Sequence, residues 1–307
     1  MSVELWSLDA LVEAYEQHQR RTRGLREQTL CGYERLVRLF VRAALGEDPI
    51  DPARLSNADV VGFVAAMRGR FSPRSMKAVR TALRSFFRFL RVEGLCEARL
   101  EAAIPTVAGW RLATLPRCLG DEQLAQLLAS LDGSMPCGLR DRAIVLLLAS
   151  LGLRPGEVAA LRLEDIDWRA GAVLLRERKT RRGAVVPLPR EAGRAIVAYL
   201  REERPVTEER RVFVQQLGAR RGLPLTSNAV SGVVVRALRR AGVEAPLAGA
   251  YVFRHTVASR MVRRGASLKE VADLLGHRAL DTTAIYAKLD LPALRAVALP
   301  WPEEVTR

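Results

Sequence analysis

The chain has 307 residues, of which 49% are hydrophobic and 27% charged, a composition typical of a folded globular protein and not of a disordered one. Lys and Arg number 49 and Asp and Glu 34, so the net charge is +15, which favours a polyanionic partner, with nucleic acid as the first candidate. A membrane surface or an acidic protein would also suit this charge. No apolar run reaches the roughly 18 residues that span a bilayer, so we expect no membrane-spanning segment.

Cysteine spacing and the lack of phosphate-binding motifs exclude further classes of protein. The four cysteines form no C-x-x-C pair and have no nearby histidine, so we expect neither a zinc site nor a disulfide framework, and a reducing cytoplasm suits them. The acidic, amphipathic first residues are unlike a secretory signal. The sequence has neither a G-x-x-x-x-G-K-S/T phosphate loop nor G-x-G-x-x-G, so we expect no nucleotide hydrolysis and no nucleotide cofactor.

The first hundred residues are predicted to form four helices, over residues 8–18, 29–44, 57–67 and 72–92, because apolar residues recur there every three or four positions. The fourth helix is the most informative. Its apolar stripe, from Val79 to Leu90, would face a core. Basic residues at spacings of three and four form a second stripe on another face: Lys77, Arg80, Arg84, Arg88 and Arg91.

This second stripe lacks acidic neighbours in the sequence, since none occurs between Asp59 and Glu93. A solvated helix normally mixes charge signs to gain pairs one turn apart. A stripe of one sign suits a row of DNA phosphates. A merely solvated basic face is the alternative, and this helix alone leaves it open.

A linker is predicted over residues 101–117, between domains 1–100 and 118–307. The linker segment loses the helical period and contains two prolines and a glycine. After it, apolar periodicity predicts a helix from about Asp121 and a buried helix over residues 139–151, which ends at Gly152.

Arg154 precedes Pro155, a residue tolerated only in the first turn of a helix, so Arg154 is predicted to lie at a helix N-terminus. Backbone N–H groups at that end of a helix favour the binding of an anion. A surface ion pair between Arg154 and Glu157 is the alternative.

Residues 170–187 are predicted to form a β-hairpin, because two β-rich runs flank a basic turn. The basic residues of the turn are Lys179, Arg181 and Arg182. They could reach a DNA phosphate or belong to a solvated loop. A helix from Thr226 to about Ala241 is a second, weaker candidate for a DNA groove. Its basic residues are Arg236, Arg239 and Arg240.

Three further helices, over residues 252–264, over 268–275 and from Asp281 onward, complete an ordered set of residues. The set is Arg154, Lys179, Arg254-His255, Leu274-Leu275-Gly276-His277 and Tyr286. With the strings L-G-L-R-P-G-E-V-A-A-L, R-H-T-V-A, L-L-G-H and T-T-A-I-Y, the set resembles the tyrosine recombinase, or phage integrase, family, which includes the Xer-type resolvases.

The resemblance covers nearly the whole chain and implies a fold that is mainly α with a small antiparallel β-sheet. A helical, SAM-like core-binding domain would precede a mixed α/β, DNA breaking-rejoining catalytic domain. The implied partner is a double-stranded DNA recombination site, and the implied location is the cytoplasm. The protein would be a monomer in free solution and a homotetramer on paired sites. Residues 290–307 would pass to a neighbouring protomer, and we expect the protein to serve a mobile element.

The resemblance further implies a mechanism for site-specific recombination. Tyr286 would attack phosphorus and form a 3′-phosphotyrosyl link, while Arg154 and Arg254 bind the non-bridging oxygens. Lys179 would protonate the leaving 5′ oxygen, and His277 would bond the phosphate or assist the tyrosine. Religation reverses the same step, so neither a metal nor ATP is required.

One position departs from the family's box H-x-x-R-H. Its first histidine is replaced here by Tyr251, which shares a helix face with Arg254 and, as a phenol, is a poor base at neutral pH. His255 is expected to point away from the catalytic face. Because Tyr251 could weaken catalysis, a non-catalytic DNA-binding relative stays open as an alternative, as does an enzyme resembling the type IB topoisomerases.

Overall fold

The computed structural model describes residues 5–25, 27–96, 98–106, 116–131, 133, 135–176, 183–247, 249–277 and 282–289. The chain divides into two compact units, Met1–Gly109 and Trp110–Arg307. None of the helices in the described ranges combines the length and the apolarity that crossing a lipid bilayer requires. The prediction of a mainly helical chain with one small antiparallel sheet is confirmed.

The N-terminal unit contains the four predicted helices, α1 (Leu8–Arg23), α2 (Glu27–Leu45), α3 (Asn57–Met67) and α4 (Pro73–Val92). Two 3₁₀ turns, Pro52–Arg54 and Leu100–Ala103, accompany them. Helix α1 is longer than predicted because its last turns are polar, and it ends only at Gly24, which is left-handed with φ +52°. Ser56 caps α3, in a capping box with Asp59.

Among the described helices of this unit, α4 supplies the most residues to the buried core. Its apolar stripe is buried as predicted, and Phe86 packs edge-on against Tyr15 with ring centroids 5.5 Å apart. Phe87 packs against Phe40 of α2 at 5.3 Å. Leu100 and Ile104 are buried in the same core, although the linker is predicted to begin at residue 101. The remainder of that linker stays a prediction, since residues 107–115 lie outside the described ranges.

The C-terminal unit has seven α-helices in its described ranges: α5 (Asp121–Ala129), α6 (Gly138–Leu151), α7 (Pro155–Ala160), α8 (Arg190–Ala198), α9 (Ser227–Arg240), α10 (Tyr251–Arg263) and α11 (Leu268–Leu275). A π-helical turn, Tyr199–Glu203, continues α8, and a 3₁₀ helix covers Ala284–Leu289.

Strands β1 (Ile166–Asp167), β2 (Ala172–Leu175) and β3 (Ala184–Pro187) form an antiparallel sheet in that order. The predicted hairpin pairs Val173 with Val186, and β1 adds a third strand that is too short to show a period in the sequence.

Helix α6 lies at the centre of the C-terminal unit and packs against α8, α9 and α10. It is apolar on nearly all sides, as expected for a helix surrounded by protein. Gly152 ends the helix in a left-handed conformation, with φ +60°. A Cβ at this glycine would lie 2.8 Å from Leu275 Cδ2 and 3.4 Å from Val257 Cβ, so the missing side chain lets α10 and α11 approach the end of α6.

We expect Gly152→Ala to lower the free energy of unfolding by about 2–4 kcal/mol, because the left-handed backbone and the clash with Leu275 add together. Gly171→Ala is the matched control, since Gly171 has φ +61° but a Cβ added there would meet no atom within 4 Å. The control should cost only about 1–2 kcal/mol. Urea unfolding of both variants measures the difference, and equal losses would contradict the close approach of α11.

Candidate active site

Arg154 lies at the N-cap of α7, where the sequence places it. Its guanidinium donates to Glu157 Oε1 at 2.9 Å and to the carbonyl of Gly276 at 3.2 Å. The backbone N–H of Arg154 also donates to Glu157 Oε2, at 2.8 Å. Glu157 therefore caps α7 and orients Arg154 at the same time, so the ion pair considered from the sequence is present.

Arg254 lies inside α10 and is 6% exposed. One guanidinium nitrogen donates to the carbonyl of Gly152 at 2.9 Å, and another donates to the carbonyl of Leu275. These two carbonyls stand at the C-terminal ends of α6 and α11, where the helix dipole carries partial negative charge. Both arginines are thus anchored on the end of α11, Arg254 on Leu275 and Arg154 on Gly276.

The two guanidinium groups leave the pocket with excess positive charge. Burial, and then the charge of Arg154, lower the pKa of Arg254 to about 10, so Arg254 still carries its proton at pH 7. Its hydrogen bonds go to carbonyls, and no described carboxylate pairs with it. One carboxylate, that of Glu157, offsets two cations, and an anion such as a phosphodiester would complete the balance.

Tyr286 lies in the 3₁₀ helix that follows α11 and is 2% exposed. Its ring packs in a small apolar cluster with Ala258, Val262, Val271 and Leu275. Burial raises the pKa of Tyr286 to about 12, and the positive charge of Arg254 acts against that rise. The hydroxyl is therefore protonated at neutral pH and lies within the electrostatic reach of Arg254.

The Tyr286 hydroxyl is hydrogen bonded to His255 Nδ1 at 2.9 Å, with the two ring centroids 5.8 Å apart. The expectation that His255 points away from the catalytic face is therefore wrong. The 3₁₀ helix packs back over α10, so the side of α10 that carries His255 faces the tyrosine. Spacing on α10 does place His255 one turn after Tyr251, on the side that also carries Arg254, but it does not show which segment packs there.

His277 follows α11, and its Nδ1 is hydrogen bonded to Thr283 Oγ1 at 2.8 Å. Thr283 is fully buried. Burial, and then the charges of Arg254 and Arg154, lower the pKa of His277 to about 4, so this imidazole is neutral at pH 7. Tyr251, at the first position of α10, is 52% exposed and interacts electrostatically with Arg254.

Several predicted residues lie outside the described ranges, and their roles stay predictions. They are Lys179, Arg181 and Arg182 of the hairpin turn, Asp281, and the tail 290–307. Within the described residues, no group of three or more His, Cys, Asp or Glu side chains lies close enough together to hold a metal ion.

The five residues of the basic stripe of α4 differ in their surroundings. Lys77, Arg84 and Arg88 are exposed, and no described carboxylate forms an ion pair with them. Arg80 is half-buried and lies near the carbonyl of Pro105, while Arg91 pairs with Glu101 at 3.5 Å. Glu101 lies far outside the helix, so spacing on α4 could not have identified it. The three arginines of α9 are all exposed: Arg236, Arg239 and Arg240.

Sequence reasoning missed a basic cavity beside the sheet. Its volume is about 390 Å³, and it is lined by Glu157, Arg162, Asp165, Arg176 and Arg211. Asp165 and Arg176 are joined by a hydrogen bond that the pairing of β1 with β2 makes possible. Since Glu157 also orients Arg154, the cavity adjoins the candidate site.

Both units of the chain match families of known proteins. The model of the phage integrase family matches residues 117–291, and that of the phage integrase N-terminal SAM-like domain matches residues 12–94. A Sinorhizobium fredii protein, y4rA, whose assignment as an integrase/recombinase is itself an inference, is 45% identical over 293 residues, covering 95% of this chain and 71% of y4rA.

The tyrosine recombinase XerD of Listeria monocytogenes is 31% identical over 285 residues, covering 90% of this chain and 92% of XerD. A crystal structure of the XerH site-specific recombinase, in a post-cleavage complex with palindromic difH DNA, shares the fold with a TM-score of 0.71 at 21% identity. That match covers 94% of this chain and 83% of XerH. The chain therefore belongs to the phage integrase family of tyrosine recombinases, enzymes that cleave and rejoin DNA in site-specific recombination.

Proposed function

We propose that this protein cleaves one DNA strand at a time through a 3′-phosphotyrosyl intermediate formed on Tyr286. The observation that carries the proposal is the convergence of Arg154 and Arg254 on the end of α11, with the Tyr286 hydroxyl in electrostatic reach of Arg254. Attack on phosphorus adds charge to the non-bridging oxygens, and two fixed guanidinium groups would stabilise that charge.

The proposed step also needs two proton transfers, one from the attacking phenol and one to the leaving 5′ oxygen. The phenol must lose its proton to attack, and Lys179 would protonate the leaving 5′ oxygen. His277, neutral at pH 7, would donate a hydrogen bond to the phosphate from the ring nitrogen that does not contact Thr283. Because Tyr286 is 2% exposed, residues 282–289 must shift before a phosphodiester can reach the hydroxyl.

Exposed basic residues on each unit would hold the DNA. On α4 these are Lys77, Arg84 and Arg88, and on α9 they are Arg236, Arg239 and Arg240. We place the protein in the cytoplasm, as a monomer in free solution and a homotetramer on paired sites, with residues 290–307 donated to a neighbouring protomer. A mobile element is the proposed context, because Tyr251 and the Pro300-Trp301-Pro302 tail depart from the pattern expected of a chromosomal resolvase.

Tyr286→Phe should abolish covalent trapping on DNA while leaving affinity nearly unchanged, because it removes one hydroxyl and no charge. The substrate is a nicked suicide duplex carrying a site selected from a random library, and the readout is a denaturant-resistant adduct. A wild-type protein that binds the site but never forms an adduct would be a non-catalytic relative. Adducts without joining of two sites would indicate the topoisomerase-like activity.

Arg154→Ala and Arg254→Ala should each slow cleavage by about 10²-fold or more, as expected when one stabilising donor to the developing charge is lost. Arg154→Lys keeps the charge but loses the fork of donors, so its rate should lie between those of wild type and Arg154→Ala. Single-turnover trapping at saturating protein measures all three. A loss of only a few-fold in either alanine variant would make that arginine structural.

Arg84→Gln and Arg88→Gln should each weaken binding to any duplex and lower the slope of log affinity against log salt by about 1. Arg20→Gln is the matched control, since Arg20 of α1 already pairs with Glu27 at 3.0 Å. Titrations of fluorescent duplex DNA at several salt concentrations measure the slopes. Unchanged slopes for both α4 variants would show that the stripe is only a solvated face.

A further inference from the structure

The proposed mechanism requires an acceptor for the proton of Tyr286. This hydroxyl is buried and its pKa is raised to about 12, so bulk water is a poor acceptor for its proton and hydroxide is too scarce at neutral pH. Among the described residues, the basic nitrogen that contacts the hydroxyl is Nδ1 of His255, at 2.9 Å. The contact joins two residues 31 positions apart in the chain and is therefore made by the tertiary fold.

The other nearby side chains are less suited to accept this proton. Tyr251 stands where the family's box has its first histidine, and it is a phenol that is 52% exposed. His277 already uses Nδ1 in its hydrogen bond with Thr283, and its pKa of about 4 makes it a weak base. His255 lies one helical turn after Tyr251, so it is on the same side of α10 as the position of the family's first histidine.

We infer that His255 is the general base of the cleavage reaction, accepting the Tyr286 proton on Nδ1 as the phenol attacks. The inference rests on the proposed function. As the Oη–P bond forms, the proton moves from Oη to Nδ1 of the neutral imidazole, whose Nε2 carries the other hydrogen. The P–O5′ bond breaks, and the 5′ oxygen takes a proton from Lys179. In religation His255 returns its proton to the tyrosine and Lys179 regains its own.

The charges around the pair fit this assignment. Among the described residues, His277 interacts electrostatically with His255, and Arg254 and Cys118 interact with Tyr286. Arg254 interacts in turn with Arg154, Glu157 and Tyr251. Two guanidinium groups disfavour a further positive charge in the pocket as long as no phosphate is bound. When the attacked phosphate gains negative charge, it compensates the imidazolium as that cation forms.

His255→Asn is the sharpest test, because an asparagine amide occupies about the place of Nδ1 and keeps a hydrogen bond but accepts no proton. We expect DNA affinity and thermal unfolding to be unchanged and single-turnover cleavage at pH 7 to fall by about 10²–10⁴-fold. The wild-type rate should fall on acidification as the imidazole takes up a proton and can no longer accept that of the tyrosine. The pH profile of His255→Asn should lack this acidic fall, and its cleavage rate should rise steadily toward alkaline pH.

His18→Asn is the matched control, since it makes the same exchange in the N-terminal unit, where His18 pairs with Glu93. It should leave the cleavage rate and its pH profile as in wild type. If His255→Asn unfolds more easily than wild type, His255→Gln provides a second variant with the same expected loss. The proposed function is tested separately, by whether the wild type forms a covalent adduct with DNA that Tyr286→Phe does not form. The role of His255 is tested by the ratio of the His255→Asn cleavage rate to the wild-type rate.

A sulfur atom in place of the bridging 5′ oxygen separates the two proton transfers, because a thiolate leaves without being protonated. On this substrate Lys179→Ala should regain most of its rate, whereas His255→Asn should remain slow. Rescue of His255→Asn by sulfur would place the lost proton on the leaving group and overturn the inference. A His255→Asn rate equal to or above that of wild type would also overturn it and show that the contact only holds the tyrosine in place.

Discussion

The buried guanidinium of Arg254 holds together the helix ends that form the candidate site of the C-terminal unit. An arginine that is 6% exposed must replace its lost hydration, and here the carbonyls of Gly152 and Leu275 do so. Those carbonyls end two different helices, so one side chain of α10 ties the ends of α6 and α11 together. The lowered pKa, about 10, shows that the replacement is incomplete, yet the group stays charged at neutral pH.

From this arrangement the rest of the candidate site follows. Gly276, next to Leu275, presents its carbonyl to Arg154, and His277 comes next in the chain. Burying two like charges close together costs stability, and Glu157 offsets only part of it. The pocket is therefore built for an anion before one binds, which is the preorganisation that stabilises charge developing on a phosphate. Such strain at a functional site is expected in natural proteins.

Much of this could be predicted from the sequence, because it depends on local patterns. The four N-terminal helices, the hairpin and the end of α6 at Gly152 follow from periodicity and from residues that stop helices. The contacts of His255 with Tyr286 and of Arg91 with Glu101 could not be predicted, since each joins segments that only tertiary packing brings together. The order of the motifs identifies the candidate catalytic residues, but only the structure shows how the side chains of Arg154, Arg254 and Tyr286 are oriented.

The charges in the pocket also bear on the replacement of the family's histidine by Tyr251. Burial, and then the guanidinium groups of Arg254 and Arg154, lower the pKa of His277 to about 4, so His277 is neutral and contributes no cation to bind phosphate. A tyrosine at position 251 can still donate a hydrogen bond, and what it loses is the capacity to accept a proton. That capacity is present one turn away, on His255, in contact with the hydroxyl that must be deprotonated. The substitution at 251 is therefore compatible with an active enzyme.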